Sequence, residues 1–154
     1  MLKYLGNQAL LKEYKLGFLC SSRVSSRAIL PCYDWATTLP SGSVVVSGFH
    51  SPIERDILQM LLRMGHRVVM VLARRLYSTI PPEWQKDIDE QRMLIVSTAP
   101  EASRVGRLAA QQRNEYIAQV SDHLVFGYIH ESSSLRSCYQ KYKNKSEVID
   151  AVGH

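Results

Sequence analysis

Between Val44 and Ala73 the chain reads VVVSGFHSPIERDILQMLLRMGHRVVMVLA, and this stretch constrains the fold more than any other. An apolar run ends in Ser47-Gly48, and a helix opens at Ser51-Pro52-Ile53-Glu54. Ile53, Ile57, Met60, Leu61 and Met64 then recur at helical spacing, and a second apolar run starts at Arg67. That is a β-α-β unit, and its first loop lies where such units bind ligands.

The same rhythm covers the rest of the chain. Leu16 to Cys20 reads as a first strand and Ser26 to Leu39 as a helix ended by Pro40-Ser41-Gly42. Val44 to Val46 is the second strand and Val68 to Leu72 the third. Pro82 opens a short helix through Glu90, followed by a strand at Met93 to Val96. A helix runs to Val120, a strand covers His123 to Tyr128, and a last helix spans Leu135 to Lys143. Glu147 to Ile149 is a candidate edge strand. The strands are β-branched and apolar throughout, as parallel strands buried on both faces are. The expectation is one domain over residues 1–154: an α/β, three-layer α/β/α sandwich, Rossmann-like, with a mostly parallel sheet of five to six strands.

Composition narrows the function. With 154 residues, 45% of them hydrophobic, and a mean hydropathy of −0.15, the chain has enough apolar surface for a core and no run of the roughly 18 residues a bilayer span requires. The N-terminal leucines are interrupted by Gly6, Asn7, Gln8, Lys12 and Glu13, which makes a poor signal peptide. Cys20, Cys32 and Cys138 have neither metal-ligand spacing nor an even count, and read as buried or free thiols of a cytoplasmic protein. A net charge of +5 and a pI of about 9.2 fit a polyanionic partner, or simply a solvated surface; both stay open. The Lys141 to Lys145 run reads as the end of the last helix rather than a binding patch.

In an open parallel sheet, ligands sit outside the carboxyl ends of the strands. The residues expected there are Ser22-Arg23, with Ser21 before them; Ser47-Gly48-Phe49-His50-Ser51; Arg74, with Arg75; Ser97-Thr98; and Ser132-Ser133-Ser134 after His130-Glu131. Hydroxyls and free backbone N–H groups at helix starts suit anions, and arginines from neighbouring loops add charge. Several of these have a second, structural reading. Ser51 and Glu54 spell a capping box, so Glu54 reads as a cap first and a ligand or catalytic carboxylate second. On that reading Glu54→Gln costs little stability and Glu54→Ala about 1 kcal/mol. Ser132 to Ser134 cap the last helix or contact phosphate. Phe49 plugs the core or stacks on a base. His50 reads as a loop histidine before a general base, and His66 and His123 as structural. The chain has no Ser-His-Asp order, paired carboxylates or metal cluster, and neither a G-x-G-x-x-G fingerprint nor a Walker lysine, so no cofactor is expected.

Several segments together resemble a known family. Leu5-Gly6-Asn7, Ala9-Leu10-Leu11 and the strand ending in Ser22-Arg23 are similar to the start of the Rossmann-like domain of DNA-processing protein A (DprA/Smf), within the wider superfamily that includes the LOG nucleotide enzymes. Val44 to Gly48 resembles that family's V-V-S-G. Arg113-Asn114, Ile117-Ala118, Ser121-Asp122 and Leu124-Val125 resemble its R-N-x-x-I-A-x-x-S-D-x-V-L-V, and Ser133-Ser134-Leu135 its S-G-S-L. The likeness runs from Leu5 to Leu135. The sequence departs from the pattern after Ser47-Gly48, where FHSPIER replaces a glycine-rich loop, at the S-G-S-L glycine, and in lacking the LOG signature P-G-G-x-G-T-x-x-E. The 154 residues leave no room for the family's flanking helical domain or winged helix, so a stand-alone domain is the expectation. The resemblance implies a single-stranded DNA or nucleotide ligand, contacts with a recombinase, a homodimer as a candidate assembly, and no membrane. Enzymatic activity is not the favoured reading; a nucleotide-binding sensor or nucleotide-hydrolysing enzyme is the alternative.

Overall fold

A computed structural model describes residues 1–149. One seven-stranded sheet forms its centre. Its strands are β1 (Lys3–Gly6), β2 (Lys15–Leu19), β3 (Val44–Ser47), β4 (Arg67–Leu72), β5 (Met93–Ser97), β6 (His123–Phe126) and β7 (Ser146–Val148). The helices are α1 (Ser26–Thr37), α2 (Pro52–Arg63), α3 (Pro82–Asp89), α4 (Arg107–Val120) and α5 (Leu135–Lys141). The strand order is β1-β5-β4-β3-β2-β6-β7. Every pairing is parallel except that of β1 with β5, where Lys3 faces Ser97 and Gly6 faces Leu94.

The expected α/β sandwich with a mostly parallel sheet is the fold observed, and the strand count is corrected from five or six to seven. The missed element is β1. Its four residues, KYLG, are too short to show a period, and pairing along an edge decides their conformation. β7 is the expected edge strand, shifted by one residue.

Alternation along the strands divides the core in two. Phe18, Val45, Val68, Met70, Met93, Ile95 and Val125 face one side and pack under α1, α2 and α3 with Ile53, Ile57 and Leu61. Leu19, Val44, Val46, Val69, Val71, Leu94, Val96, Leu124 and Phe126 face the other, under α4 and α5 with Ile117, Ala118 and Leu135. Burial on both faces explains why these strands read as continuous apolar runs. Helix α2 ends in a Schellman turn. Gly65, at φ +78°, donates to Leu62 O at 3.1 Å, and the His66 N–H returns to Leu61 O at 2.9 Å. His66 is thereby buried, at 2% exposure, with both ring nitrogens unpartnered, and burial pushes its pKa down. The expected structural role of His123 is visible too: its Nε2 lies 3.1 Å from Glu147 Oε1, joining β6 to β7.

After β2 the chain builds β3, β4 and β5 to one side. It then crosses the other face through α4 and adds β6 and β7 on the opposite side of β2. The sheet order therefore reverses between β2 and β6, the kind of point where open α/β sheets leave a crevice. Among the described residues, no helix is long and apolar enough to cross a membrane.

Candidate anion-binding site

The site grows from the turn after β3. Ser47 Oγ accepts the Phe49 N–H at 3.1 Å, and Phe49 takes a left-handed conformation, φ +49°, that a bulky residue avoids. Its ring is buried in the core, at 4% exposure, so of its two readings the core plug is the one observed. The turn delivers His50 to the carboxyl edge and starts α2 with Ser51 as N-cap, Pro52 in the first turn and Glu54 at the third position. The capping box is complete: Ser51 Oγ accepts the Glu54 N–H at 3.4 Å, and Glu54 Oε1 accepts the Ser51 N–H at 3.5 Å.

Glu54 does more than cap. It is 1% exposed, and its Oε1 also accepts the His50 N–H at 3.0 Å. Its Oε2 accepts the N–H of Cys20, just after β2, at 3.0 Å. Burial pushes the carboxyl pKa up, but the His50 ring and the backbone N–H groups of His50 and Cys20 outweigh it and hold the group below its ordinary value. An ionised carboxylate only accepts. With His50 Nδ1 at 3.0 Å from Oε1, the ring therefore carries its hydrogen on Nδ1 and leaves Nε2 as an acceptor.

That acceptor meets Arg113. Arg113 lies on α4, 4% exposed, with Nη2 at 3.3 Å from His50 Nε2 and Nε donating to Asn114 Oδ1 at 3.3 Å. Both partners are neutral, and among the described residues no carboxylate lies within 4.0 Å of the guanidinium. Burial lowers the Arg113 pKa, and the nearby charge of Glu54 works against that shift. Gly48 closes the group. A Cβ there would stand 3.0 Å from His50 Nδ1 and 3.2 Å from both Cδ and Nε of Arg113. The glycine is required for this close approach rather than for an unusual φ.

The group opens into a cleft of about 710 Å³ at the carboxyl ends of β3 and β4, between α2 and α3. Its walls carry arginines and aromatics. The Arg74 guanidinium sits 4.6 Å from the Tyr77 ring centre, and Tyr77 meets Trp84 edge to face at 5.5 Å. Arg55 and Arg63 line the cleft as well. Of its two carboxylates, Asp87 is paired with Arg92 at 2.8 Å, while Glu83 is exposed. The balance is cationic. The arrangement can hold an anion at Arg113 and a flat apolar group against Tyr77 and Trp84.

The ligand-edge residues expected from the turns, together with the family-motif pair Arg113-Asn114, divide into several groups. Gly48, His50, Arg74 and Arg113 line the cleft, as does the edge of Phe49. Ser47 and Ser51 are buried and bonded to the local backbone, so they shape the turn instead of facing a ligand. Ser22 and Arg23 are exposed on the loop after β2. Ser132 contacts His130 Nδ1 through Oγ at 2.7 Å, and Ser133 Oγ accepts the Leu135 N–H at 3.1 Å, while Ser134, the N-cap of α5, makes no side-chain capping bond. Ser134 and Asn114 share a recess of about 310 Å³ between α4 and α5, apart from the cleft. Tyr77, Trp84, Arg55 and Arg63 escaped the sequence reading, as did the inter-strand role of Glu54. The Arg74-Arg75 pair just before Tyr77, and Pro81-Pro82 just before Trp84, were the available signals for that wall.

At the order reversal, Ser21 ties the loops after β2 and β6. Its N–H donates to Tyr128 O and its Oγ accepts the His130 N–H, both at 2.9 Å. A second pocket of about 640 Å³ lies beside it, with Arg27, Arg136, Lys143, Tyr128 and Tyr139 on its walls. Among the described residues, no group of three or more histidine, cysteine or carboxylate side chains could hold a metal ion.

Comparison with known proteins gives the geometry a context. A family model described as DNA recombination-mediator protein A matches residues 1–152. Two solved structures share the fold. DNA processing protein A from Streptococcus pneumoniae superposes with a TM-score of 0.75 at 22% identity, over 96% of this chain and 53% of that one. DNA processing protein A from Helicobacter pylori, whose structure is described for its single-stranded DNA binding mode, gives 0.74 at 22% identity, over 96% of this chain and 70% of that one. The present chain thus spans about half the length of the pneumococcal protein. No curated protein sequence matches it.

Proposed function

This chain belongs to the DNA recombination-mediator protein A family, and from that premise we propose that it binds single-stranded DNA along the carboxyl edge of its sheet, with a backbone phosphate on Arg113. One observation carries the reading. A guanidinium 4% exposed, with no carboxylate in direct contact, keeps a buried positive charge that Glu54 offsets only in part, from behind the His50 ring. Such a charge costs several kcal/mol unless an anion meets it. A phosphodiester entering the cleft supplies that anion, and Arg74, which lines the same cleft, adds a second positive contact. The neighbouring Tyr77 and Trp84 offer faces for bases, the usual partner of a phosphate-tracking groove in single-strand binders. The net charge of +5 favours approach of a polyanion. On this reading a strand-exchange recombinase is the partner that takes the strand up.

A salt-titrated binding assay tests the proposal with a labelled oligothymidylate against the wild type, Arg74→Ala and Arg113→Gln. Each lost phosphate contact flattens the dependence of log affinity on log salt by about 0.7 on a single strand. Slopes unchanged in both variants overturn the assignment. A nucleoside monophosphate that displaces the strand at equal concentration favours the mononucleotide alternative, which the cleft's volume of about 710 Å³ also accommodates.

A further inference from the structure

We propose that His50 is the positioning residue of this anion site, setting the orientation of Arg113 through a relay that begins at Glu54. The inference rests on the functional reading just given and adds a role that the family membership does not supply.

The geometry is directional. Glu54 is held by backbone N–H groups from two loops, Cys20 after β2 and His50 after β3, so its carboxylate is fixed in place. It takes the Nδ1–H of His50 at 3.0 Å and thereby fixes both the tautomer and the plane of the ring. The remaining ring nitrogen, Nε2, is an acceptor and receives one N–H of Arg113 at 3.3 Å. Asn114 Oδ1 receives a second, from Nε. A guanidinium has five N–H donors in a rigid plane. Two of them anchored at an angle define that plane, and the others stay available to a ligand in the cleft that Arg113 lines.

A carboxylate in place of His50 would hold Arg113 more tightly, but it would also neutralise the charge that draws the anion. A neutral imidazole orients the cation and leaves its charge in force. The side chain of His50 is 44% exposed, so the fold does not require its ring for packing, whereas Glu54 is fully enclosed. The turn from Gly48 to Glu54 thus carries its own orienting pair: Gly48 provides the space, and His50 and Glu54 provide the aim.

Three measurements on the full chain test the proposal. The first is the ¹⁵N spectrum of the His50 ring near neutral pH, where an Nδ1–H tautomer is expected; an Nε2–H tautomer overturns the relay. The second is affinity for the labelled oligothymidylate at fixed salt. His50→Ala is expected to lose about tenfold, the scale of one misaligned charge-assisted contact, while its melting temperature falls only modestly with the lost bond to Glu54 and the chain stays folded in the assay. The third is chemical rescue. Added imidazole is expected to restore most of the lost affinity in His50→Ala and none in Arg113→Gln, a difference that a purely structural role would not produce. Wild-type affinity in His50→Ala overturns the positioning role alone. A wild type that does not bind the strand even at low salt overturns the functional reading, and the positioning role falls with it.

Discussion

The Glu54 carboxylate accepts the backbone N–H of Cys20 at 3.0 Å across 34 positions of sequence. This bond joins the loop after β2 to the loop after β3, and it makes a helix-capping residue the hinge pin of the ligand edge. The consequences can be measured one at a time.

Glu54→Ala removes the acceptor for Cys20 N–H, His50 N–H and Ser51 N–H together and leaves a hole in a fully buried site. The expected loss is on the order of 3 kcal/mol, above the usual cost of a cap, because buried donors are left unsatisfied. Glu54→Gln is not mild either, contrary to the expectation from the capping box alone. Its amide NH₂ must face the N–H of either Cys20 or His50, and a loss of about 1–3 kcal/mol follows. Urea denaturation of the two variants checks both figures. A Gln variant as stable as the wild type would show that Oε2 is not needed at Cys20.

Acid should act through the same group. The folded state holds the Glu54 pKa below its ordinary value of 4.5, so at low pH the unfolded chain binds this proton more readily. The stabilisation is therefore fully present above the ordinary value and is lost as pH falls through the depressed one. The melting temperature of the wild type is expected to drop more steeply below pH 4.5 than that of Glu54→Gln, which lacks the titrating carboxyl. Parallel curves for the two proteins would locate the acid sensitivity elsewhere.

Gly48→Ala puts a methyl group 3.0 Å from His50 Nδ1 and 3.2 Å from Arg113. The Arg113 side chain has room to yield only by leaving its place. The fold should survive with a loss below about 1.5 kcal/mol, while affinity for single strands falls about tenfold. Anisotropy titration and thermal melting on one sample separate the two effects, and a variant that binds like the wild type contradicts the assignment of the site.

Trp84 reports on the cleft directly. The chain has two tryptophans, and Trp35 stacks on Phe18 in the core at 5.0 Å, away from the cleft. In a Trp35→Phe background, addition of oligothymidylate is expected to quench the remaining fluorescence as a base meets the Tyr77–Trp84 wall. Trp84→Ala should weaken binding by about 1–3 kcal/mol, the scale of one stacked base. Binding without quenching would place the bases outside this cleft.

A last substitution tests the fold apart from any ligand. A Cβ on Gly17 in β2 would stand 2.3 Å from Ser121 Oγ and 2.7 Å from Leu124 Cδ2. Ser121 Oγ is held by its bond to Ile117 O at 2.7 Å, and Leu124 is fully buried in the core, so neither neighbour moves aside freely. Gly17→Ala should cost about 1–3 kcal/mol through overpacking. Denaturant titration with and without the oligonucleotide should show the same loss.

By itself the sequence determined the layers of this protein. Continuous β-branched runs such as Val44 to Val46 and Val68 to Leu72 can be satisfied only by burial on both faces, and the helical spacing of Ile53, Ile57 and Leu61 gives the cover for one of them. Local chemistry was legible for the same reason: Ser51, Pro52 and Glu54 start a helix through bonds that reach no further than four residues. The edge strand β1 was not legible, because four residues carry no period and their partner β5 lies some ninety positions away. The site was legible as a set of turns but not as an assembly. Nothing in the neighbourhood of Arg113 says that it will be buried against Gly48 and His50, and the Arg74-Arg75 and Pro81-Pro82 signals do not say that Tyr77 and Trp84 will meet edge to face in one cleft. Those meetings depend on the order in which the strands pair and on the face to which each helix returns. Both are set by the packing of the whole sheet, and only the tertiary structure could decide them.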